Sequence, residues 1–142
     1  NVWGSALTGS LCAIGVLLLS LFQPPQAGTI VPLLLLGYVA SFSTKLADTC
    51  ASEIGKAYGQ RTFLITTLKP VPRGTEGAVS LEGTVAGIVA SLVIALVGWA
   101  VGLITLPQVG VCAVAAFIAT NLESVIGATL QTRLGWLSNE LV

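Results

Sequence analysis

The sequence predicts an all-α protein, a polytopic bundle of about four transmembrane helices with one polar segment between spans two and three. Three observations carry that prediction. The 142-residue chain is 54% hydrophobic and 8% charged, with a mean hydropathy of +0.93, whereas soluble domains carry about 25% charged residues. Twelve charged side chains cannot solvate the surface of a protein this size, so its natural solvent is lipid. Nine of the twelve fall between Lys45 and Glu82, leaving Glu123, Arg133 and Glu140. Finally, four apolar runs approach the roughly 20 residues needed to cross a hydrocarbon core of about 30 Å.

The first run extends from Val2 to Phe22 and stops at Gln23-Pro24-Pro25-Gln26. The second starts near Ile30, passes through Leu33–Leu36 and turns polar after Phe42. The third runs from Gly83 to Ile104, before Leu106-Pro107, and the fourth from Val109 to Leu130. The connections 23–29 and 105–108 carry no charge; Lys and Arg occur in 45–82 and, as Arg133, in the tail. Four spans place those two regions on one face, which the positive-inside rule assigns to the cytoplasm or the stroma. Gly83, Gly87 and Ser91 repeat at four, as do Gly98 and Gly102, a spacing that lets helix backbones approach closely in lipid. The chain contains no Met and reads as a single membrane domain over 1–142, a fragment lacking N-terminal spans, with a polar catalytic segment over 45–82.

The inventory removes several function classes. Zero net charge supplies no bulk field for nucleic acid. The absence of His rules out Ser-His-Asp and Cys-His nucleophilic sites and any His-ligated metal. Cys12, Cys50 and Cys112 form no CxxC pattern; Cys12 and Cys112, in apolar runs, read as core thiols. Carboxylates remain available for hard cations.

The second span continues as a helix through Lys45–Gly59. At about 100° per residue, Lys45, Asp48, Thr49, Ser52, Glu53 and Lys56 share an arc of roughly 140°. Leu46, Cys50, Ile54, Ala57 and Tyr58 lie on the apolar side, and Ala47, Ala51, Gly55 and Gly59 form a small-residue ridge between. A solvated face with internal ion pairs would explain Lys45, Thr49 and Lys56. Asp48 and Glu53 follow directly from a span, where ionisable groups are expensive and usually face a polar cavity. Residues 60–69 suit an extended segment. After Pro70 and Pro72, a glycine-rich stretch through Gly74 and Gly77 leads to Ser80, a candidate N-cap of the third span. Such a turn offers N–H groups to anions, with Lys69 and Arg73 adding positive charge. It lacks the spacing of a P-loop or a dinucleotide fingerprint. Glu82 also suits a first helical turn. In the fourth span, Thr120, Asn121, Glu123, Ser124, Gly127 and Gln131 share an arc of roughly 160°.

Three stretches resemble the phytyl-phosphate kinase family of integral membrane prenyl-phosphate kinases from photosynthetic organisms. They are Ser43–Gly59, Lys69–Thr84 with Val-Pro-Arg-Gly-Thr-Glu-Gly and Ser-Leu-Glu-Gly-Thr, and Asn121–Ala128. The resemblance covers nearly the whole chain and extends more distantly to phytol and dolichol kinases. It implies transfer of a phosphoryl group from a nucleoside triphosphate, CTP or ATP, to phytyl or a related prenyl monophosphate. The product is the diphosphate, in phytol salvage and tocopherol synthesis, in a cyanobacterial or chloroplast membrane. The expected catalytic residues are Asp48, Glu53, Lys69 and Arg73. Lys56, Gly74, Thr75, Glu76, Gly77, Ser80, Glu82 and Asn121 are expected to bind nucleotide or phosphate. Mg²⁺ is expected on Asp48, Glu53 and Glu123. The oligomeric state stays open, with a homodimer among the candidates. The competing reading is a transporter or channel with an intramembrane acidic ion site.

Overall fold

The computed structural model describes the backbone of residues 2–140 and the side chains of residues 4–130, so Gln131, Arg133 and Glu140 lie outside the described side chains. Four helices dominate: α1 (Val2–Phe22), α2 (Ala27–Tyr58), α3 (Leu81–Ala100) and α4 (Leu106–Glu140). Between α2 and α3 sit two short strands, β1 (Thr62–Leu64) and β2 (Ala78–Ser80), paired antiparallel with Phe63 opposite Val79. All four helices are long and apolar enough to cross a membrane. The expected helix bundle is present, with the polar segment between its second and third helices.

Local chemistry sets the helix ends. α1 stops where Gln23 takes a positive φ of 43° ahead of Pro24, which cannot continue the hydrogen-bond ladder. α3 starts at an N-cap, Ser80, whose hydroxyl accepts from the Gly83 N–H at 3.1 Å. It ends in a Schellman motif: the Leu103 N–H donates to the Gly98 carbonyl at 2.9 Å and the Gly102 N–H to the Trp99 carbonyl at 3.0 Å. Gly102, with φ +78°, therefore serves this turn, not helix packing as its spacing from Gly98 suggested. Nor does the third helix reach Ile104; residues 101–105 form the connection. α4 opens three residues earlier than expected, because the Gln108 side chain accepts from the Thr105 N–H at 2.7 Å, half of a capping box.

α2 has 32 residues and α4 has 35. At 1.5 Å per residue each is about 50 Å long, against a hydrocarbon core of about 30 Å. Both therefore project past the bilayer. α2 and α4 run in the same direction, so their projecting ends share the face that carries the hairpin. The extended segment foreseen for 60–69 is only partly extended: β1 covers three residues, and the chain reverses at 65–68. That reversal is closed by the Leu68 N–H on the Leu64 carbonyl at 2.7 Å, with Leu68 at φ 54°.

The tightest packing joins α2 to α3. A Cβ on Gly87 would lie 3.1 Å from the Ala47 carbonyl oxygen and 3.2 Å from the Ala51 Cβ. On Gly83 it would lie 3.2 Å from the Gly55 Cα, and on Gly98 2.9 Å from a Val39 methyl. The small ridge of α2 is thus pressed against the small stripe of α3, with Ser91 buried in line. Away from the hairpin, Val39, Ala95, Ile104, Val109 and Cys112 close the bundle with an apolar core. α1 rests on α2 alone among its larger contacts, through Gly9 under Phe42, Gly15 under Leu34 and Cys12 against Gly37. The Ser41 hydroxyl adds an interhelical bond to the Ser5 carbonyl at 2.7 Å.

Candidate functional site

At the hairpin end, α2, α3, α4 and the glycine turn enclose a cavity of about 410 Å³. Its first wall is the edge of α2 where ridge and polar arc meet: Ala47, Asp48, Ala51, Ser52, Gly55 and Lys56. The second wall is the turn from Gly74 to Ser80. Gly74 and Gly77 have φ of +86° and +74°, a conformation that side chains with a Cβ adopt at a cost. Gly77 also lies directly on α4, where a Cβ would stand 2.7 Å from the Ser124 carbonyl oxygen and overlap the Ala128 side chain. The turn is held by the Thr75 hydroxyl on the Pro72 carbonyl at 2.8 Å and by the Ala78 N–H on the Thr75 carbonyl at 3.0 Å. Within it, the Gly74, Glu76 and Gly77 N–H groups have no acceptor among the described residues. They are the donors an anion can use.

α4 supplies the third wall with Asn121, Glu123, Ser124 and Gly127. The Asn121 amide nitrogen donates to the Phe117 carbonyl at 2.7 Å, which fixes the side chain and leaves its carbonyl oxygen as an acceptor. Three wall hydroxyls are tied in the same way. Ser52 donates to the Asp48 carbonyl at 2.8 Å, Thr84 to the Ser80 carbonyl at 2.8 Å and Ser124 to the Thr120 carbonyl at 3.1 Å. Their protons are used locally, so toward a ligand they act as acceptors.

Of the expected residues, the cavity brings together Asp48, Lys56, Gly74, Thr75, Glu76, Gly77, Ser80, Asn121 and Glu123. Glu53, Lys69, Arg73 and Glu82 do not line it. Glu53 stands five residues from Asp48, about 140° around the helix, and points outward, pairing with Lys56 at 3.0 Å. Lys69 is exposed beyond the strand pair. Arg73 reaches the Ala57 carbonyl at 3.5 Å, lashing the turn to the end of α2. Glu82 accepts from the Gln60 N–H at 3.3 Å in the first turn of α3. The expected metal set of Asp48, Glu53 and Glu123 is therefore not assembled. Among the described residues no three carboxylate or thiol side chains come together as a metal cluster. Sequence reasoning missed Thr62, Thr84, Gly87, Ile88 and Phe117, which also line the cavity. Thr84 was the findable one, four residues after the Ser80 cap and so on the same face of α3.

The cavity lining holds three carboxylates, Asp48, Glu76 and Glu123, and one ammonium, Lys56. Asp48 is half-buried and paired with Lys45 at 3.0 Å, while the Lys56 charge is shared with Glu53. A bare polyphosphate would meet net repulsion here, and a bound divalent cation would lessen it.

Comparison with known proteins places this architecture. The integral membrane protein family DUF92 matches residues 1–142. The chain belongs to that family. It is 62% identical over its full length to an uncharacterized membrane protein of Synechocystis sp., covering 52% of that protein. It is 51% identical to the chloroplastic protein VTE6 of Arabidopsis thaliana, covering all of this chain and 42% of VTE6. An uncharacterized membrane protein of Methanocaldococcus jannaschii is 38% identical over 76% of this chain and 44% of its own length. The chain thus spans about half the length of the curated relatives it matches. No solved structure matches it.

Proposed function

We propose that this DUF92 chain forms the catalytic part of a membrane-embedded kinase. It would transfer a phosphoryl group from a nucleoside triphosphate to phytyl or a related prenyl monophosphate, in phytol salvage and tocopherol synthesis. The observation that carries the proposal is the cavity itself, which turn residues with unbonded N–H groups line together with carboxylates from α2 and α4 at one end of an apolar bundle. The resemblance to phytyl-phosphate kinases supplies the substrate class.

The chemistry asks little of the side chains. The acceptor is already an anion, so no strong base is required, and phosphoryl transfer rests on positioning and charge neutralisation. An acceptor phosphate oxygen bonds to the γ-phosphorus as the bond from that phosphorus to the bridging β–γ oxygen breaks. The nucleoside diphosphate leaves with the electron pair. The Gly74, Glu76 and Gly77 N–H groups and Lys56 hold the donor phosphates, and Asn121 and Ser124 offer acceptors from α4. Asp48 and Glu123 fit the way Mg²⁺ is held by one or two carboxylates plus substrate phosphates. That ion would offset the charge of the phosphate oxygens. Glu53 has no part in the direct set.

A transporter would need a polar route through the whole bundle. Here the half away from the hairpin is closed by Val39, Ala95, Ile104, Val109 and Cys112, which disfavours that reading. The test uses purified protein in detergent with labelled nucleoside triphosphate, Mg²⁺ and phytyl monophosphate, with CTP and ATP compared. Prenyl diphosphate is the expected product. No product, together with ion flux in liposomes, would reverse the assignment.

A further inference from the structure

The geometry points to a sideways route for the lipid substrate: its tail enters between α3 and α4 through an opening framed by Ile88 and Phe117, which select the chain. This inference takes the identity of the headgroup from the phosphotransfer reading above; the route rests on separate observations.

Ile88 and Phe117 line the cavity, yet they are 39% and 45% exposed. As the apolar, exposed members of the lining, they are where the route is placed. Ile88 lies seven residues below the start of α3, about 10 Å down at 1.5 Å per residue. Phe117 lies ten residues before Gly127, where the glycine turn rests on α4, or about 15 Å down. Two helices running in opposite directions thus bring apolar cavity residues to a similar depth, inside segments apolar enough to span the membrane.

Charge distribution selects this gap over the one beside α2. α3 carries no charged residue after Glu82, and α4 carries none before Glu123. α2 presents Lys45 and Asp48 at the same level, since Ala47 packs against Gly87. An apolar chain therefore leaves between α3 and α4, while its phosphate stays beside Asp48. The nucleotide phosphates occupy the outer end, on the turn and Lys56. The order down the cavity is donor, Asp48, acceptor, tail. A monophosphate on a single hydrocarbon chain fits this order, and the bilayer delivers it without extracting the tail into water.

The experiment has two arms. In the first, a long-chain alkyl monophosphate bearing a diazirine on its tail is photolysed with the detergent-purified protein, without nucleotide. Adducts are expected on the peptides holding Ile88 and Phe117; adducts confined to α1 or to the outer face of α2 would overturn the route. In the second, Ile88→Trp and Phe117→Trp are compared with wild type on phytyl monophosphate and on dimethylallyl monophosphate. The ratio of KM for the long acceptor to KM for the short one should rise about tenfold, the scale of hydrophobic pocket discrimination. An unchanged ratio would contradict chain selection. Tail adducts at these residues in a protein with no phosphoryl transfer would refute the kinase reading and leave the route standing. Turnover with adducts elsewhere would do the reverse.

Discussion

At the scale of single residues, buried Ser43 and the two turn glycines show how differently small residues are used. The Ser43 hydroxyl is fully buried with no hydrogen-bond partner among the described residues. It lies on the α2 ridge one turn before Ala47. An unsatisfied buried polar group costs about 1–3 kcal/mol, so Ser43→Ala should raise the melting temperature, measured by dye-monitored unfolding in detergent, without altering ligand binding. A lower melting temperature would reveal a hydroxyl partner. Gly74 and Gly77 both have positive φ, yet a Cβ on Gly74 meets nothing within 4 Å, whereas on Gly77 it meets α4. Gly74→Ala should cost only the left-handed backbone penalty, about 1–2 kcal/mol. Gly77→Ala adds overpacking of about 1–3 kcal/mol and should also displace the turn from the cavity. Equal melting temperatures for the two variants would contradict the seating of Gly77 on α4. The identities of these glycines were legible in the sequence, but not which of them touches another helix.

At the scale of elements, the α2–α3 pair positions everything else. Its contact is built from Ala47, Ala51 and Gly55 against Gly83 and Gly87, so no long side chain can be accommodated. Gly87→Leu should destabilise the bundle by about 1–3 kcal/mol or more and abolish the cavity, because Gly87 is also part of its wall. Val85→Leu, on the exposed face of α3, should have no such effect in the same unfolding measurement. These contacts were readable as a four-residue spacing, since close helix approach in lipid demands small residues. The connection after Trp99 was less so, because apolar Val101, Leu103 and Ile104 continue the hydrophobic run while Gly102 ends the helix. The hairpin was harder still. Residues 62–64 pair with 78–80 across a reversal at Leu68, and nothing in their composition states the partner. Lys69 and Arg73 flank the glycines in sequence, which suggested phosphate binding, but the reversal carries Lys69 to the outside and ties Arg73 to Ala57.

At the scale of the whole molecule, the two long helices and the hairpin put the cavity at one face of the bundle. By the positive-inside rule that face is expected to meet the cytoplasm or stroma. Single cysteines at Thr67 and Gln26, introduced with the three native cysteines changed to alanine, should react with an impermeant maleimide from opposite sides of oriented vesicles. Labelling of both from one side would break the topology. The overall architecture was legible because apolar runs of span length have few alternatives in a chain this poor in charge. The membership of the site was only partly so, because an arc on a helical wheel does not say which of its edges faces the neighbouring helices. Asp48 and Glu53 stand at the two edges of one arc, and packing of the small ridge on α3 decided between them. Their contrast gives the most direct test: prenyl diphosphate formation by wild type, Asp48→Asn and Glu53→Gln in parallel, with expression and melting temperature matched. Loss of a properly placed transition-state charge partner costs about 10² in rate or more, so Asp48→Asn should fall by at least that factor while Glu53→Gln stays within a few-fold of wild type. Full turnover in Asp48→Asn, or loss confined to Glu53→Gln, would contradict the cavity as the site of phosphoryl transfer.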